Sequence, residues 1–279
     1  MSLHPRTSSL MSWRSKSLEE PSWSPGGTAA LEKQLPSRSP NENIFLHIVD
    51  LSDPKTVWKF VENFKQEHTL NVLINNAGCM VNKRELTEDG LEKNFATNTL
   101  GVYVLTTALI PVLEKEHDPR VITVSSGGML VQKLNTDDLQ SERTAFDGTM
   151  VYAQNKRQQV VLTERWARAH PAIHFSCMHP GWVDTPGVRL SMPGFHARLG
   201  ARLRSEAQGA DTVLWLALAP TDAVQPSGRF FQGDFLPGCE GAPDPPLRAA
   251  WVWEGLFPFP VIVPGLPWQG GSFACRGAL

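Results

Sequence analysis

The sequence predicts an α/β fold, a Rossmann-like doubly wound parallel sheet that is incomplete in its amino-terminal half. Three observations lead to this prediction. Short apolar runs alternate with stretches of helical period along the middle of the chain, which is typical of βαβ units. Polar motifs follow the apolar runs directly, as ligand-binding residues do at the carboxyl edge of such a sheet. The glycine-rich turn that usually follows the first strand of such a sheet is missing.

The regular elements are predicted within residues 44–234. Strands are predicted at residues 44–49, 71–75, 120–125, 173–178 and 228–232, and helices at 52–64, 87–115, 150–170 and 205–218. Each crossover between parallel strands is expected to be right-handed. The ends of the chain differ from this core. Residues 1–43 are rich in serine and proline and are predicted to be largely disordered, without a strand, and residues 235–279 are predicted to form a loose tail.

The composition of the chain limits the kinds of molecule that it is expected to bind. The chain has 279 residues and a formal net charge of -2, which gives no basic surface for nucleic acid, so a small-molecule substrate is expected. Its four cysteines are far apart in the sequence, which favours reduced thiols and an intracellular, cytoplasmic protein. The serine-rich and arginine-containing amino terminus leaves mitochondrial targeting as an alternative. No membrane-spanning segment is predicted, and the sequence does not determine the oligomeric state.

The pair Tyr152 and Lys156 carries the strongest chemical signal. Residues four apart on a helix share one face, so the phenol and the ammonium are expected to lie together. A neighbouring cation favours the phenolate and thereby lowers the pKa of a tyrosine from about 10 toward neutral pH. The spacing therefore predicts a general acid/base, although a Y-x-x-x-K pattern alone is common.

Further polar residues lie where the predicted strands end. Ser125 and Ser126 close the strand at 120–125, where a hydroxyl could bind a substrate carbonyl, although serines at such positions are often only caps. Asn75-Asn76-Ala77-Gly78 follows the strand at 71–75, Asn98 lies in the next helical stretch, and His179-Pro180-Gly181 follows the strand at 173–178.

This ordered set resembles the short-chain dehydrogenase/reductase family, over residues 43–234, and its long segment before Tyr152 resembles the retinol-dehydrogenase-like branch, which acts on lipophilic alcohols and carbonyls. The resemblance implies an NAD(P)-dependent oxidoreductase that interconverts an alcohol and a carbonyl. It implies that Tyr152 exchanges the substrate proton and that Lys156 lowers the pKa of Tyr152 and binds the nicotinamide ribose. Ser126 would orient the carbonyl, with Ser125 as the alternative, and Asn98 would hold a water that connects Lys156 to solvent.

The resemblance also assigns the cofactor-binding residues. They are Asp50 and Leu51 at the adenine, Asn75, Asn76, Ala77 and Gly78 along the adenosine, Tyr152 and Lys156 at the ribose, and Pro180, Gly181, Val183 and Thr185 around the nicotinamide. The segment 187–204 is interpreted as a mobile lid over the substrate, in preference to an ordinary surface helix.

A metal site is not predicted. His170 and His174 have the spacing of a helical ligand pair, with His179 nearby in the sequence, but Pro171 ends the helix between the first two.

The missing glycine-rich turn leads to a second hypothesis about function, in addition to the NAD(P)-dependent oxidoreductase. Glycines after the first strand let the backbone approach the cofactor pyrophosphate at a helix N-terminus, and this sequence has no such motif. No residue that would distinguish NAD from NADP is found. We interpret the amino-terminal and carboxyl-terminal segments of this chain as unrelated sequences that replace the corresponding segments of the family, as in a splice variant. The alternative function is therefore a non-catalytic truncated variant that binds dinucleotide poorly and is less stable than a full-length relative.

Overall fold

A computed structural model describes residues 45–232 and, outside that range, the backbone of two short strands at Leu10–Met11 and Val261–Ile262. The strands are β1 Leu10–Met11, β2 Val72–Asn75, β3 Arg120–Val124, β4 His174–His179, β5 Arg229–Gln232 and β6 Val261–Ile262. They form one sheet in the order β1-β2-β3-β4-β5-β6, and every neighbouring pair is parallel. The predicted Rossmann-like parallel sheet is confirmed.

The helices that connect these strands lie close to their predicted positions. They are α1 Pro54–Glu67, α2 Lys93–Leu113, α3 Gly148–Ala169, α4 Pro186–Ser191, α5 Pro193–Leu199 and α6 Glu206–Leu218, with short 3-10 turns at Gly127–Val131, Gly200–Arg202 and Thr221–Val224. Side-chain caps fix several helix starts. Asp53 accepts hydrogen bonds from the first turn of α1, Asp147 does so for α3, and Ser205 forms a capping box with Gln208 at α6.

Apolar side chains fill both faces of the sheet. On one face Leu73, Val121 and Phe175 pack against α1, α2 and the carboxyl-terminal part of α3. On the other face Ile122 and Met178 pack against α6. Alternate residues along each strand thus face opposite layers, as a sheet covered on both sides requires.

Helix α2 is long and apolar enough to span a membrane by length and composition, with a mean hydropathy of 1.5 over its most apolar window. In this structure 72% of that window is buried inside the protein, as in a helix of a hydrophobic core. The middle of α2, Ala96–Gly101, has π-helical hydrogen bonding, flanked by the α-helical segments Lys93–Phe95 and Val102–Leu113.

Four sequence-based expectations about regular structure are wrong. Residues 45–50 form no strand: Val49 and Leu51 are buried against the helices, while Phe45 and Ile48 are exposed. An apolar run becomes a strand only beside a partner strand, and among the described residues this run packs its Phe45 and His47 rings against His68 and Phe60 around α1 instead.

The other corrections concern the helix predicted at 87–115 and the two ends. Helix α2 begins only at Lys93, because Gly90 has a positive φ of 77° in a turn and Glu92 caps the helix start. Within the segment predicted to lack a strand, Leu10–Met11 pairs with Val72 and Leu73. Within the predicted loose tail, Val261–Ile262 pairs with β5. A strand of two residues is too short to show the alternating pattern of a longer strand, although Val261 and Ile262 are both β-branched.

Candidate active site

Three elements bring the predicted catalytic residues to one edge of the sheet. Ser126 follows β3, Tyr152 and Lys156 lie on α3, and Asn98 lies in the π-helical part of α2. The start of α3 approaches the preceding chain very closely, since a Cβ on Gly148 would lie 2.5 Å from the Val81 carbonyl oxygen. Only glycine permits this approach, which sets the position of the following helical turns.

Lys156 is held beneath Tyr152. Its ammonium donates a hydrogen bond of 2.8 Å to the Val124 carbonyl at the end of β3 and lies 5.3 Å from the centroid of the Tyr152 ring. The side chain is 2% exposed, and burial lowers the pKa of Lys156 to about 8. The ammonium therefore stays protonated at neutral pH. Its three N–H donors allow it to serve a ligand hydroxyl as well as Val124.

The Tyr152 side chain is half-buried, and its surroundings act on it in the direction opposite to the sequence prediction. Burial raises the pKa of Tyr152 above its ordinary value of 10.0, and the neighbouring Cys79 raises it further. In this ligand-free structure, burial thus acts against the lowering that Lys156 is expected to produce. Desolvation disfavours the phenolate, and a lysine that loses its own proton near pH 8 is no longer a cation at the pH where such a phenol ionises.

The two serines after β3 have different environments. The Ser125 hydroxyl donates to the main-chain carbonyl of Lys156 at 2.8 Å and is buried, so it fastens β3 to α3. The Ser126 oxygen accepts a hydrogen bond from the Gly128 amide at 3.2 Å. A Cβ on Gly128 would lie 3.6 Å from that oxygen and 4.0 Å from the Cβ of Ala153, the neighbour of Tyr152. Ser126 therefore lies near the turn of α3 that carries Tyr152, and its predicted role at the substrate carbonyl stays a prediction.

Asn98 is fully buried, and its polar atoms have protein partners. Its side chain accepts from the Cys79 amide at 2.9 Å and donates to the Cys79 carbonyl at 2.8 Å, while its main-chain carbonyl accepts from Gln159 at 2.6 Å. A carbonyl oxygen has two lone pairs, so the Asn98 oxygen keeps one for the predicted water. The side chain itself holds the chain after Gly78 in place.

The residues predicted to contact the adenosine half of the cofactor differ in their surroundings. Asn75 is buried and donates from its amide to Thr106 on α2 at 2.9 Å and to Thr123 on β3 at 3.3 Å. It therefore ties the sheet to α2, and its predicted cofactor contact stays a prediction. Asn76 is exposed, and Ala77 is buried.

Gly78 and Asp50 fit a binding role better. A Cβ on Gly78 would meet the Asn98 side-chain oxygen at 2.9 Å and the Lys156 nitrogen at 3.4 Å, so glycine leaves room beside the ammonium. Asp50 is partly buried and binds the amide and hydroxyl of Ser52 through one oxygen. Leu51 belongs to the core, where its carbonyl closely approaches Gly101.

The loop after β4 carries the residues assigned to the nicotinamide. Gly181 has a positive φ of 81°, which glycine adopts without strain, and it turns the chain at the sheet edge. Pro180 accepts a hydrogen bond from Arg204 through its carbonyl at 2.9 Å. Val183 packs against Gly209 on α6, and Thr185 caps α4 by accepting from the Val188 amide at 3.2 Å.

The segment interpreted as a lid consists of α4, α5 and a 3-10 turn. The carboxylate of Asp184 binds Arg189 of α4 through two hydrogen bonds of 2.7 and 2.8 Å and contacts His196 of α5 at 3.0 Å. Ser191 at the end of α4 contacts Met80 and Asn82, in the segment beyond Gly78. Both helices are thus bound to Asp184 at their base, and α4 is also bound to the segment beyond Gly78.

The three histidines do not form a cluster. His170 contacts Glu114 at 2.9 Å, His174 contacts the Val224 carbonyl at 3.0 Å, and His179 is buried beside Gly127. Burial lowers the pKa of His179 to about 4, and Arg204 lowers it further. Among the residues that the structure describes, no group of three metal-ligating side chains could hold a metal ion.

The residues predicted to contact the two ends of a dinucleotide differ in what they offer. Lys156, Gly78 and the half-buried Tyr152 offer a donor, free space and a hydroxyl at the ribose and nicotinamide end. For the pyrophosphate, the sequence before Asp50 has no glycine-rich turn of the kind that binds such a group at a helix N-terminus.

Gln159 and Cys79 also contact the predicted site residues, although neither of them was predicted from the sequence. Gln159 contacts the Asn98 carbonyl, and Cys79 is the residue whose main chain Asn98 holds. The position of Gln159, three residues after Lys156 on the same helix, was a signal that could have identified it. For Cys79 the sequence offers only its place directly after Gly78.

Residues 22–192 match the sequence profile of the short chain dehydrogenase family. This match covers more than half of the chain, so the protein belongs to the short-chain dehydrogenase/reductase family, a family of oxidoreductases, and shares its Rossmann-like fold.

The chain is 95% identical over 194 residues to dehydrogenase/reductase SDR family member 12 of Bos taurus, and 87% identical over the same length to that of Homo sapiens. Each match covers 70% of this chain and 61% of the relative, so the chain spans about six-tenths of the length of these relatives. Retinol dehydrogenase 14 of Mus musculus is a more distant relative, 32% identical over 192 residues that cover 66% of this chain and 57% of that protein.

Solved structures share the fold. A short chain dehydrogenase from Escherichia coli CFT073, complexed with NADPH, superposes with a TM-score of 0.58 at 17% identity, over 75% of this chain and 82% of that chain. An uncharacterised protein from Mycobacterium paratuberculosis superposes with a TM-score of 0.56 at 26% identity, over 73% of this chain and 68% of that chain.

Proposed function

We propose that this site interconverts an alcohol and a carbonyl on a lipophilic small molecule with NAD or NADP as the cofactor. The observation that carries the proposal is the position of the Lys156 ammonium, hydrogen-bonded to the end of β3 and 5.3 Å from the Tyr152 ring, in a family of oxidoreductases. Bound cofactor would supply or accept the hydride. The residues of this chain would bind the substrate oxygen and move its proton.

The pKa directions favour carbonyl reduction in the ligand-free chain. Burial keeps the Tyr152 phenol protonated at neutral pH, so it can donate its proton to a carbonyl oxygen that is becoming an alcohol. The Ser126 hydroxyl would donate a hydrogen bond to the same oxygen. The buried Lys156 ammonium would then stabilise the phenolate that remains, because an adjacent cation in a poorly solvated site favours that charge.

A lipophilic substrate is supported by the surface near Tyr152. Met150, two residues before Tyr152, is 46% exposed, and the Gln132 amide beside the exposed Val131 contacts its sulfur at 3.5 Å. Leu190 on α4 is also exposed, and α4 reaches Met80 and Asn82 across the cleft. Exposed apolar side chains on the elements that carry the candidate site suit a substrate with one oxygen and an apolar body. A relative named retinol dehydrogenase agrees with this class.

The alternative is a non-catalytic variant with poor cofactor binding, which the missing glycine-rich turn favours. Hydrogen bonds to a charged group contribute roughly 1.5 to 3 kcal/mol each. Two such bonds lost at the pyrophosphate would weaken binding by about 10²- to 10⁴-fold. The proposed enzyme would thus bind dinucleotide more weakly than a full-length relative, while the non-catalytic variant would not bind it at the site.

Titration of the purified chain with NADPH and NADH, followed by fluorescence energy transfer from tryptophan, distinguishes the two. We expect saturable binding that Lys156→Met weakens at least tenfold, because the ammonium would bind the ribose. Lys133→Met, which changes an exposed lysine, should leave the affinity unchanged. Absence of saturable binding up to millimolar cofactor, or equal affinity in the Lys156 variant, would refute the enzyme and favour the non-catalytic variant.

A further inference from the structure

Gln159 on α3 is a buried side chain, 1% exposed, whose two polar atoms have different environments. Its amide nitrogen donates a hydrogen bond of 2.6 Å to the main-chain carbonyl of Asn98. Its carbonyl oxygen is buried and has no hydrogen-bond partner among the described residues. Buried acceptors are nearly always satisfied, and an exception beside a reaction centre indicates a role for that atom.

The carbonyl that Gln159 holds belongs to the π-helical segment of α2. π-helical turns shift carbonyl groups out of the regular α-helical ladder and occur often at functional sites. The Asn98 side chain fixes the main chain of Cys79 from both sides. The preceding Gly78 lies against the Asn98 oxygen and the Lys156 nitrogen. A continuous set of contacts therefore leads from Gln159 through Asn98 to the chain beside the ammonium.

Gln159 is also three residues after Lys156 on the same helix, and side chains at this spacing share a face. We propose that Gln159 is a positioning residue for Lys156, which fixes the Asn98 carbonyl with its amide and accepts, through its buried oxygen, a hydrogen bond from a water that exchanges protons with the ammonium. The proposal rests on the proposed oxidoreductase site and adds a residue to it.

The groups around Lys156 make this role observable. The titratable groups that face the ammonium are Tyr152 on its own helix, Cys79 after β2 and Cys177 on β4. Burial raises the pKa of Tyr152 and of Cys177, so both groups are neutral at pH 7, and the neutral dipoles of Gln159 and Asn98 act on the cation beside them. An acceptor that stabilises the ammonium, directly or through a water, should raise its affinity for a proton.

The test is the titration of Lys156 followed by NMR of ¹³Cε-labelled lysine in the full chain, with its resonance identified by its loss in Lys156→Arg. We expect Gln159→Met to lower the titration midpoint by about one pH unit, because the acceptor and the held carbonyl are lost. Gln159→Glu should raise the midpoint instead, because a carboxylate beside the ammonium favours the proton. A thermal melt of each variant establishes that it is folded.

Gln158→Met is the matched control. Gln158 is the neighbouring buried glutamine, but its side-chain oxygen accepts from the Thr99 hydroxyl at 2.7 Å and from the Asn155 amide at 3.5 Å, whereas Gln159 donates to the Asn98 carbonyl. We expect it to leave the Lys156 midpoint unchanged. A purely structural role for Gln159 would give equal midpoints, or shifts in one direction, in the folded Met and Glu variants, and either result overturns the proposal. If Gln159→Met does not fold, the direction of the Gln159→Glu shift decides. Since this titration needs no turnover, its outcome is separable from that of the cofactor titration.

Discussion

The ammonium of Lys156 lies 5.3 Å from the centroid of the Tyr152 ring, and both side chains are shifted by burial toward their neutral forms. The pKa of Lys156 falls to about 8, while that of Tyr152 rises above its ordinary value of 10.0. In the ligand-free chain the two groups therefore titrate in the order lysine first and phenol second. At neutral pH both are protonated, which is the state that carbonyl reduction needs.

This order can be measured because the chain has only two tyrosines, Tyr103 and Tyr152. In a Tyr103→Phe background, ¹³Cζ-labelled tyrosine reports Tyr152 alone. We predict that its chemical shift stays that of the protonated phenol at every pH up to about 10. A titration midpoint of Tyr152 between pH 6 and 8 would mean that the charge of Lys156 affects the pKa of Tyr152 more than burial does, as the spacing of the two residues alone suggests.

Asn75 is predicted to stabilise the fold and to have no part in cofactor binding. Its amide joins Thr106 and Thr123, so Asn75→Ala removes two buried hydrogen bonds and should cost about 1 to 3 kcal/mol in the free energy of unfolding. Asn76→Ala, at the exposed neighbouring position, should change stability little. Urea denaturation of both variants checks this. Loss of dinucleotide affinity in a still-folded Asn75→Ala chain would restore its predicted place in the cofactor cleft.

The lid helices are predicted to depend on the carboxylate of Asp184. Hydrogen bonds from Arg189, and then from His196, lower the pKa of Asp184 to about 2. A carboxyl whose pKa is lower in the folded state stabilises that state above its ordinary pKa of 3.8 and loses this effect as the pH falls toward 2. At pH 7 the contact is therefore complete, and Asp184→Asn should remove most of it.

Hydrogen exchange measured by mass spectrometry tests the role of Asp184. We expect amides in α4 and α5 to exchange several-fold faster in Asp184→Asn, while those of β3 and β4 keep their rates. Asp222→Asn, at an exposed acid in a 3-10 turn away from the lid, serves as the control. Unchanged exchange in the lid would show that its helices are held by their other contacts.

The parallel sheet and the place of the catalytic residues could be predicted because both depend on local patterns. A buried strand has an apolar run in its sequence, and the residue that follows the strand lies at the edge of the sheet. The position of Ser126 could therefore be predicted from the sequence. The i, i+4 spacing likewise placed Tyr152 and Lys156 on one helical face.

What could not be predicted depends on contacts distant in sequence. The run at 44–49 has the composition of a strand, but residues 45–50 pack on α1. The inward direction of Asn75 depends on Thr106 and Thr123, which belong to other elements. The pKa of Tyr152 depends on desolvation by the assembled core, whereas its spacing from Lys156 shows only the nearby charge. The role of Gln159 requires the π-helical turn in α2, which has no clear sequence pattern.

The central claim is that Tyr152 transfers the substrate proton in an oxidoreductase site. The most direct test is the oxidation of millimolar NADPH by the purified chain in the presence of medium- and long-chain aldehydes. We predict measurable turnover, which Tyr152→Phe lowers by at least about 10²-fold because the proton donor is lost, while Tyr103→Phe retains it. Turnover that is equal in Tyr152→Phe and the unmodified chain, or no turnover at a cofactor concentration shown to saturate binding, would contradict the account.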